Sequence, residues 1–559
     1  MAEADVELLT QDATVTAAKG SALRESCTLR DDSYFLDGPV CRRVAVVDFD
    51  PEGGRPQPAP ASFLPDPQTP ANGTYSIAGL GEDDPATLAV NAFGTVMDTI
   101  AMVEEPNGLG RRIAWGFDGP QLLVVPRAGE WANAFYERAT RSLQFFSFTA
   151  RQRWIHTALS RDIVAHECAH AILDGVVPTL YDAITPQSHA IHEAVADLVA
   201  VLMAVRSRPL RARVLAETGG RIDESTAFNS IAEDFGGPRL QQERPGALRD
   251  LNERRTLAET DPTDPHALSV VLSGALYQTL VDVFDGYAAD YRRQGSSPEA
   301  AAQKALAVSG PLFFRRLLLR GLDYLPPGEL TFADVARALL AADRAAYPDS
   351  DFPRSADGRG RLADRRIDRG IAASRDELLL GAPDLPPVDV DLEAIRDSDW
   401  AAYRFVERLR PLLGIPADGP IIVHPRVDAT KLIYLGFEQS GASVREQREL
   451  LVKVSWDHTE ANEVHRLRAA RRVIRTGATL AIQWDSKQVL AVLRSDSADP
   501  ASRDSRDAMI RRLLEENALV VDRVGATVRP TAAPAVAVVE GGTARIKANS
   551  RLLHLSGRT

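Results

Sequence analysis

A chain of 559 residues is too long for one ordinary domain and should hold two or three cores. Its 65 Lys and Arg against 77 Asp and Glu leave a net charge of −12, which excludes a general nucleic-acid binder because nothing offsets phosphate repulsion across the whole surface. The three cysteines, Cys27, Cys41 and Cys168, form no paired framework and suit a reducing compartment. The first residues carry neither a basic nor an apolar leader region, so no secretory signal is expected. No apolar run reaches about 18 residues, the best being LVAVLMAV at 198–205, and the expectation is a soluble, cytoplasmic protein without a membrane span.

In chain order, RVAVVDF at 43–49 reads as a strand. The next twenty residues, 51–70, contain seven prolines and can form neither helix nor central strand. They read as a linker or an extended wrapping arm, so 1–70 is expected to be an N-terminal extension. Residues 83–105 read as a helix, and RRIAWGF (111–117) and QLLVVP (121–126) as short strands. The aromatic-rich arms of 132–148 around a polar middle read as a hairpin, which makes 71–165 a β-rich unit. Helical periodicity dominates 166–385, and the Pro-rich GAPDLPPVDVD at 381–391 punctuates the chain before a last α+β unit, 386–559. There, 399–414 and 505–519 read as helices, and 420–425, 431–437 and 450–456 as strands. Residues 475–484 and 487–494 read as a hairpin. HRLRAARRVIR at 465–475 places five Arg on an expected helix, most simply a solvated face. The Arg/Asp mixture at 354–369 reads as a self-paired surface loop.

The chemistry centres on DIVAHECAHAILDG, 162–175. On a helix, His166 and His170 lie one turn apart on one face, so both imidazoles can meet one metal ion, and Glu167 lies about 100° round, placed to work on an attacking water. A catalytic zinc needs a third protein ligand and one open position. In SHAIHEAVADLVA, 188–200, Glu193 and Asp197 share a helix face, and the 23 positions between His170 and Glu193 leave room for a turn and an antiparallel return. Glu193 is therefore the expected third ligand. Asp197 is expected to accept the free imidazole N–H of a liganding His. Cys168 points off the ligand face and reads as small core filler, and His156, His189 and His192 read as hydrogen-bonded rather than liganding.

DIVAHECAHAILD followed by IHEAVAD resembles the thermolysin-like zinc metallopeptidases, over roughly 75–385. The resemblance implies an α+β fold with a two-lobed, thermolysin-like metallopeptidase domain, a β-rich lobe and a helical lobe with zinc in the cleft; the separate C-terminal α+β domain expected after it lies outside the resemblance. It implies that Asn133 and Ala134 pair with the substrate backbone and that Tyr181 helps hold the oxyanion. Arg249 would grip a substrate carbonyl. His266 would be the second catalytic His, with Asp264 or Asp261 as its partner, although aligning Ser273 and Gly274 with the family pattern would put Val270 there. Ile163 and Leu248 would line an apolar pocket. His192 stands where the family has Asn. Asp162 matches the family's calcium cluster but Ala204 falls where a carboxylate belongs, so calcium is not expected. The expected activity is hydrolysis of internal peptide bonds, with Glu167 as general base, on a peptide or protein substrate. The alternative is a catalytically inactive, protease-like scaffold working through a protein partner of its C-terminal domain.

Overall fold

Strand β1 (Ala2–Leu9) buries Ala2, Ala4, Val6 and Leu8 on one face, the period-two pattern of a half-covered strand. It pairs with β2 (Arg24–Asp31) in a four-stranded sheet. A six-stranded sheet begins with β3 (Phe35–Leu36), β4 (Val40–Cys41) and β5 (Val44–Val46). Strands β6 (Leu64–Pro65) and β7 (Gly73–Thr74) complete the first sheet, with the proline-bearing β6 at its edge, where a missing N–H costs no ladder bond. The structure is a computed structural model and describes residues 1–10, 24–50, 53–150, 153–224, 226, 228, 230–231, 249–348, 358–381, 383–438, 441–523 and 533–548.

Helix α1 (Pro85–Glu104) starts on the Asp84 carboxylate, which accepts the Ala86 amide at 2.8 Å, and is buried along nearly its whole length. Strand β8 (Leu122–Val125) lies parallel to β5, and the hairpin of β9 (Ala134–Glu137) and β10 (Ser142–Phe145) ends the six-stranded sheet with β9 outermost. The segment 1–70, expected as an appended extension, is thus woven into both N-terminal sheets. The proline-rich stretch behaves as a wrapping arm, bridging Phe49 to Pro56 and Gly38 to Ala61. RRIAWGF, expected as a strand, is not one. Its Ala114 carbonyl packs against Gly175, where a Cβ would collide with it, and Arg111 reaches Asp323 at 2.7 Å, so side-chain ties replace a ladder.

After β11 (Ser147–Ala150) and β12 (Arg153–His156) the helical part begins with α2 (Arg161–Val176), α3 (Pro178–Tyr181), α4 (Pro186–Arg206) and α5 (Arg208–Glu217). The short β13 (Ser230–Ile231) and β14 (Arg249–Asp250) pair, and α6 (Pro265–Arg293), α7 (Pro298–Val308), α8 (Arg315–Tyr324), α9 (Phe332–Ala346) and α10 (Gly358–Ile367) follow. Helix α4 packs between α2 and α6. Against the expectation of no long apolar run, α1, α4 and α6 are long and apolar enough to cross a membrane by length and composition, with mean hydropathy of 1.4, 1.4 and 1.5. Their apolar windows are 94, 100 and 83% buried inside the protein, so they are accounted for as core helices. Helix α10 also replaces part of the loop expected at 354–369. Its Arg366 is buried on the Thr279 hydroxyl, and Arg365 pairs with Asp282.

The C-terminal segment forms α11 (Leu392–Asp397), α12 (Asp399–Arg408), α13 (Arg410–Leu413), β15 (Ile421–Val423), β16 (Val427–Glu438), β17 (Gly441–Ala461), β18 (Arg471–Gln483), β19 (Val489–Arg494), α14 (Pro500–Glu515), β20 (Leu519–Arg523), β21 (Ala535–Glu540) and β22 (Thr543–Ala548), its strands joined in one sheet. The helix expected over 465–475 is a correction: Arg471 to Arg475 open β18, because alternation turns Arg472 inward, where it pairs with Glu460 and Asp507. Alternation also makes β17 two-faced. Leu450, Val452, Val454 and Trp456 pack with Phe405 and Val406 of α12, while Leu451 joins the main core and Glu449 and Lys453 turn toward α8 and α2. The sheet is therefore not a freely separate unit. Mixed helices and sheets throughout make the fold α+β.

Lys453 is the most telling residue of that contact. It is buried, reaches the Val176 carbonyl at the C-terminal end of α2 at 3.5 Å, and burial pulls it from an ordinary 10.5 down to about 8. Between pH 8 and 10.5 the unfolded chain binds this proton and the folded chain does not, so folding gains stability from this group as pH rises through that window. Lys453→Met should accordingly be more stable than wild type near neutrality by up to about 3 kcal/mol, with the advantage shrinking toward pH 10.5. Urea unfolding of both proteins across pH 7–10 tests this. An advantage that grows with pH contradicts it.

Candidate metal centre

Helix α2 is positioned by Ser160 and Asp162, which accept the Ile163 amide, and every side chain from Arg161 to Asp174 is buried. His166 and His170 bring their Nε2 atoms to 3.1 Å of each other, rings nearly perpendicular at 82°. Helix α4 places Glu193 across from them. Its Oε2 lies 3.6 Å from His166 Nε2 and its Oε1 3.5 Å from His170 Nε2. These three side chains are the one group of three or more His, Cys, Asp or Glu among the described residues whose donor atoms converge within 4.8 Å.

The spacings suit zinc. Donors held about 2.0–2.2 Å from a tetrahedral ion lie roughly 3.3–3.6 Å apart. The two imidazole nitrogens stand 3.1 Å apart and each meets one oxygen of Glu193, at 3.6 and 3.5 Å, so a small inward shift of one oxygen, from donor atoms already within 4.8 Å of one another, completes a three-ligand set. The electrostatics agree: burial works against a charge on His166, yet Asp197, 3.1 Å from its Nδ1, and Glu193 outweigh burial and hold His166 up to about 10. Glu193 facing both imidazoles and Asp197 behind His166 give the buried cluster a surplus of negative charge, an environment that a cation would satisfy. Asp197 thus takes the place expected of it, behind His166. Cys168 sits off this face, fully buried beside the Val96 carbonyl, as expected of core filler. His156 is held by Ser147 and Asp83, and His189 by the Ala183 carbonyl, neither at the cluster.

Glu167 reaches the other wall. Its Oε2 accepts the Tyr136 amide of β9 at 3.0 Å, so the free edge of this outermost strand faces α2. A second tie fixes the same strand further along the helix: Asp174 accepts the Tyr136 hydroxyl at 2.8 Å and Arg138 Nε at 2.8 Å. Sequence reasoning missed Tyr136, Arg138 and Asp174. The available signal was Asp174 itself, a carboxylate in a fully buried helix, which requires a partner. By period-two alternation Ala134 presents its amide on the same edge as Tyr136. That amide meets the Asn133 side-chain oxygen at 3.0 Å.

No family model matches this chain. No curated protein matches it either.

The remaining candidates divide. His266, in the first turn of α6, brings its Nε2 to 3.5 Å from Glu193 Oε2 and is 29% exposed, the most open group of the cluster. Val270, the other alignment, is buried apolar core. Asp264 is a correction: its Oδ1 accepts the His266 and Ala267 amides at 3.0 and 3.2 Å, capping α6 in place of the expected hold on the imidazole. Asp261 accepts from Thr263 instead. Tyr181 is 2% exposed, with its ring packed on His192 and Tyr136 and under the Arg138 guanidinium at 4.2 Å. These contacts set its ring against His192, which itself stacks on His170. Arg249 opens β14 opposite Ile231, and its side chain, like Leu248, lies outside the described residues.

His192, at the position where Asn was expected from the resemblance, has a physical role in this chain. Its Nδ1 lies 3.5 Å from His170 Nδ1, and burial together with the His189 and Arg138 charges pulls it down to about 3, keeping it neutral. A neutral Nδ1 can accept the His170 Nδ1–H and so orient His170 Nε2 toward the cluster. His192→Ala should therefore weaken zinc binding about 10- to 100-fold in competition with a chromogenic chelator. Unchanged affinity would remove His192 from this role.

Proposed function

We propose that the chain is a zinc-dependent metalloendopeptidase of thermolysin-like build, hydrolysing internal bonds of peptide or protein substrates. The observation that carries the reading is the convergence of His166, His170 and Glu193 from two helices with Glu167 turned toward the free edge of β9. Glu167 adds nothing to a purely structural metal site, and its place beside an open strand edge is what peptide hydrolysis needs.

In this reading His166, His170 and Glu193 hold zinc, which when bound lowers the pKa of water toward neutrality and polarises the scissile carbonyl. An extended peptide lies along β9, using the outward carbonyls of Ala134 and Tyr136 and the Ala134 amide once Asn133 yields its hold on it, while the Tyr136 amide stays with Glu167. Glu167 takes the proton of the attacking water and delivers it to the leaving nitrogen. His266, 29% exposed and 3.5 Å from Glu193 Oε2, donates to the carbonyl oxygen as negative charge develops there. Asp197 and His192 orient the two imidazoles.

Zinc analysis of the purified full chain together with an internally quenched peptide library tests the proposal. About one zinc per chain with cleavage abolished by chelation and restored by zinc is the expected result. Zinc retained without cleavage of any peptide favours the inactive scaffold instead.

A further inference from the structure

A cavity of about 520 Å³ lies at the end of the molecule where α2 begins and α4 ends, walled by β2, α1 and the joint between α4 and α5. Arginines dominate it. Arg161 opens α2, Arg206 closes α4, and Arg208 and Arg211 occupy the first turn of α5. Three carboxylates answer them and are already used. Asp98 holds Arg161 at 2.8 Å and Arg206 at 3.2 Å, Glu105 holds Arg206 at 3.1 Å and Arg315 at 2.5 Å, and Glu25 holds Arg161 at 3.3 Å. Of the five arginines that line the cavity, Arg30 pairs with Glu3, and Arg161 and Arg206 pair with these carboxylates.

The surplus falls on Arg208 and Arg211. Among the described residues neither sits in an ion pair. Arg208 gives its backbone amide to Glu25, and Arg211 gives one N–H to the Val205 carbonyl. Burial and the neighbouring charge of Arg208 push the Arg211 guanidinium below its ordinary value, the sign of positive charges crowded together. Both stand at the N-terminal end of α5, where the helix dipole already disfavours cations. Arg161 adds an independent sign: it is 4% exposed, yet its Nε is buried without a hydrogen-bond partner. In a chain of net charge −12, a local excess of this kind with an unsatisfied buried donor requires an anion.

We propose that this cavity binds a small phosphate-bearing anion through Arg161, Arg208 and Arg211. The guanidinium fork matches phosphate oxygens in bidentate fashion, and the volume falls within the range of small-molecule pockets, larger than phosphate alone needs. Arg161 lies five residues before His166, and Arg206 thirteen after Glu193, so the bound anion ties together the far ends of the two helices that carry the metal ligands.

Calorimetric titration of the full chain with inorganic phosphate and with ribose 5-phosphate tests the site, with the double variant Arg208→Gln/Arg211→Gln as control. Both arginines are on the surface side of the cavity, so the variant should fold and hold zinc as wild type does. Saturable binding weakened about tenfold or more in the variant supports the site. Tighter binding of ribose 5-phosphate then assigns it to a phosphorylated metabolite, and equal binding to free phosphate. Binding of neither probe, or equal binding by wild type and variant, overturns the proposal.

Discussion

Glu167→Gln should lose peptide hydrolysis by about three orders of magnitude or more while keeping its zinc. The amide is nearly isosteric and can still make a contact to the Tyr136 amide region through its oxygen, so the strand edge stays where it is. What it cannot do is take a proton. General-base transfer is worth about 10²–10⁴ in rate, and in the proposed mechanism the same group both accepts the water's proton and returns it to the leaving nitrogen. Zinc content, circular dichroism and kcat/KM measured together separate this from misfolding. A variant that retains zinc and more than about a tenth of the activity contradicts the role of Glu167.

Arg506→Met should destabilise the fold by about 3–5 kcal/mol, the largest effect expected away from the metal centre. Arg506 is 1% exposed and donates to Glu329 at 2.7 Å, to Glu460 at 2.6 Å and to the Ser497 carbonyl at 2.8 Å. Glu329 in turn accepts the Ile184 amide at 3.0 Å, two residues before α4. Methionine fills much of the volume but leaves Glu329 without its cation and Glu460 with Arg472 alone. Breaking a buried pair by removing one partner strands the other's charge, which is why the cost exceeds that of any surface pair. Chemical denaturation of the holo protein measures it. A loss under about 1 kcal/mol would mean that water reaches these carboxylates and that the network is not sealed.

The second result bears on the C-terminal segment, whose role composition and periodicity leave open. Its sheet meets the helical part through buried polar groups: Lys431 with Asp323 and Glu449, the Tyr324 hydroxyl with Glu449, Lys453 with Val176, and Arg506 with Glu329. Charged residues on alternate positions of a strand look like a solvated face when read in sequence. They are interior because partners on other elements meet them there, Asp323 for Lys431 and the Tyr324 hydroxyl for Glu449, more than 100 residues away in the chain.

The metal centre divides along the same line. His166, Glu167 and His170 were legible because one helical turn brings them together, and Glu193 and Asp197 because the same 3.6-residue period puts them on one face of the next helix. The strands and helices with clear periodicity, such as α1, α14 and the β9–β10 hairpin, were legible for the same local reason. RRIAWGF was misread because Gly175 and Asp323 decide its path, and 465–475 because the buried carboxylates Glu460 and Asp507 decide which Arg turns inward. The resemblance implied Asp264 or Asp261 as the partner of His266, whereas the N-terminus of α6 competes for the Asp264 oxygen and wins. The sequence by itself therefore determined the helix pair that carries His166, His170 and Glu193, the place of Glu167 beside them and the α+β character, all set by interactions within a few residues. Only the tertiary structure decided that His266 reaches Glu193, that His192 backs His170, that Asp174 lashes the edge strand to the metal helix, and that the C-terminal sheet is sealed onto the helical core, since each depends on partners that the chain brings together only when it folds.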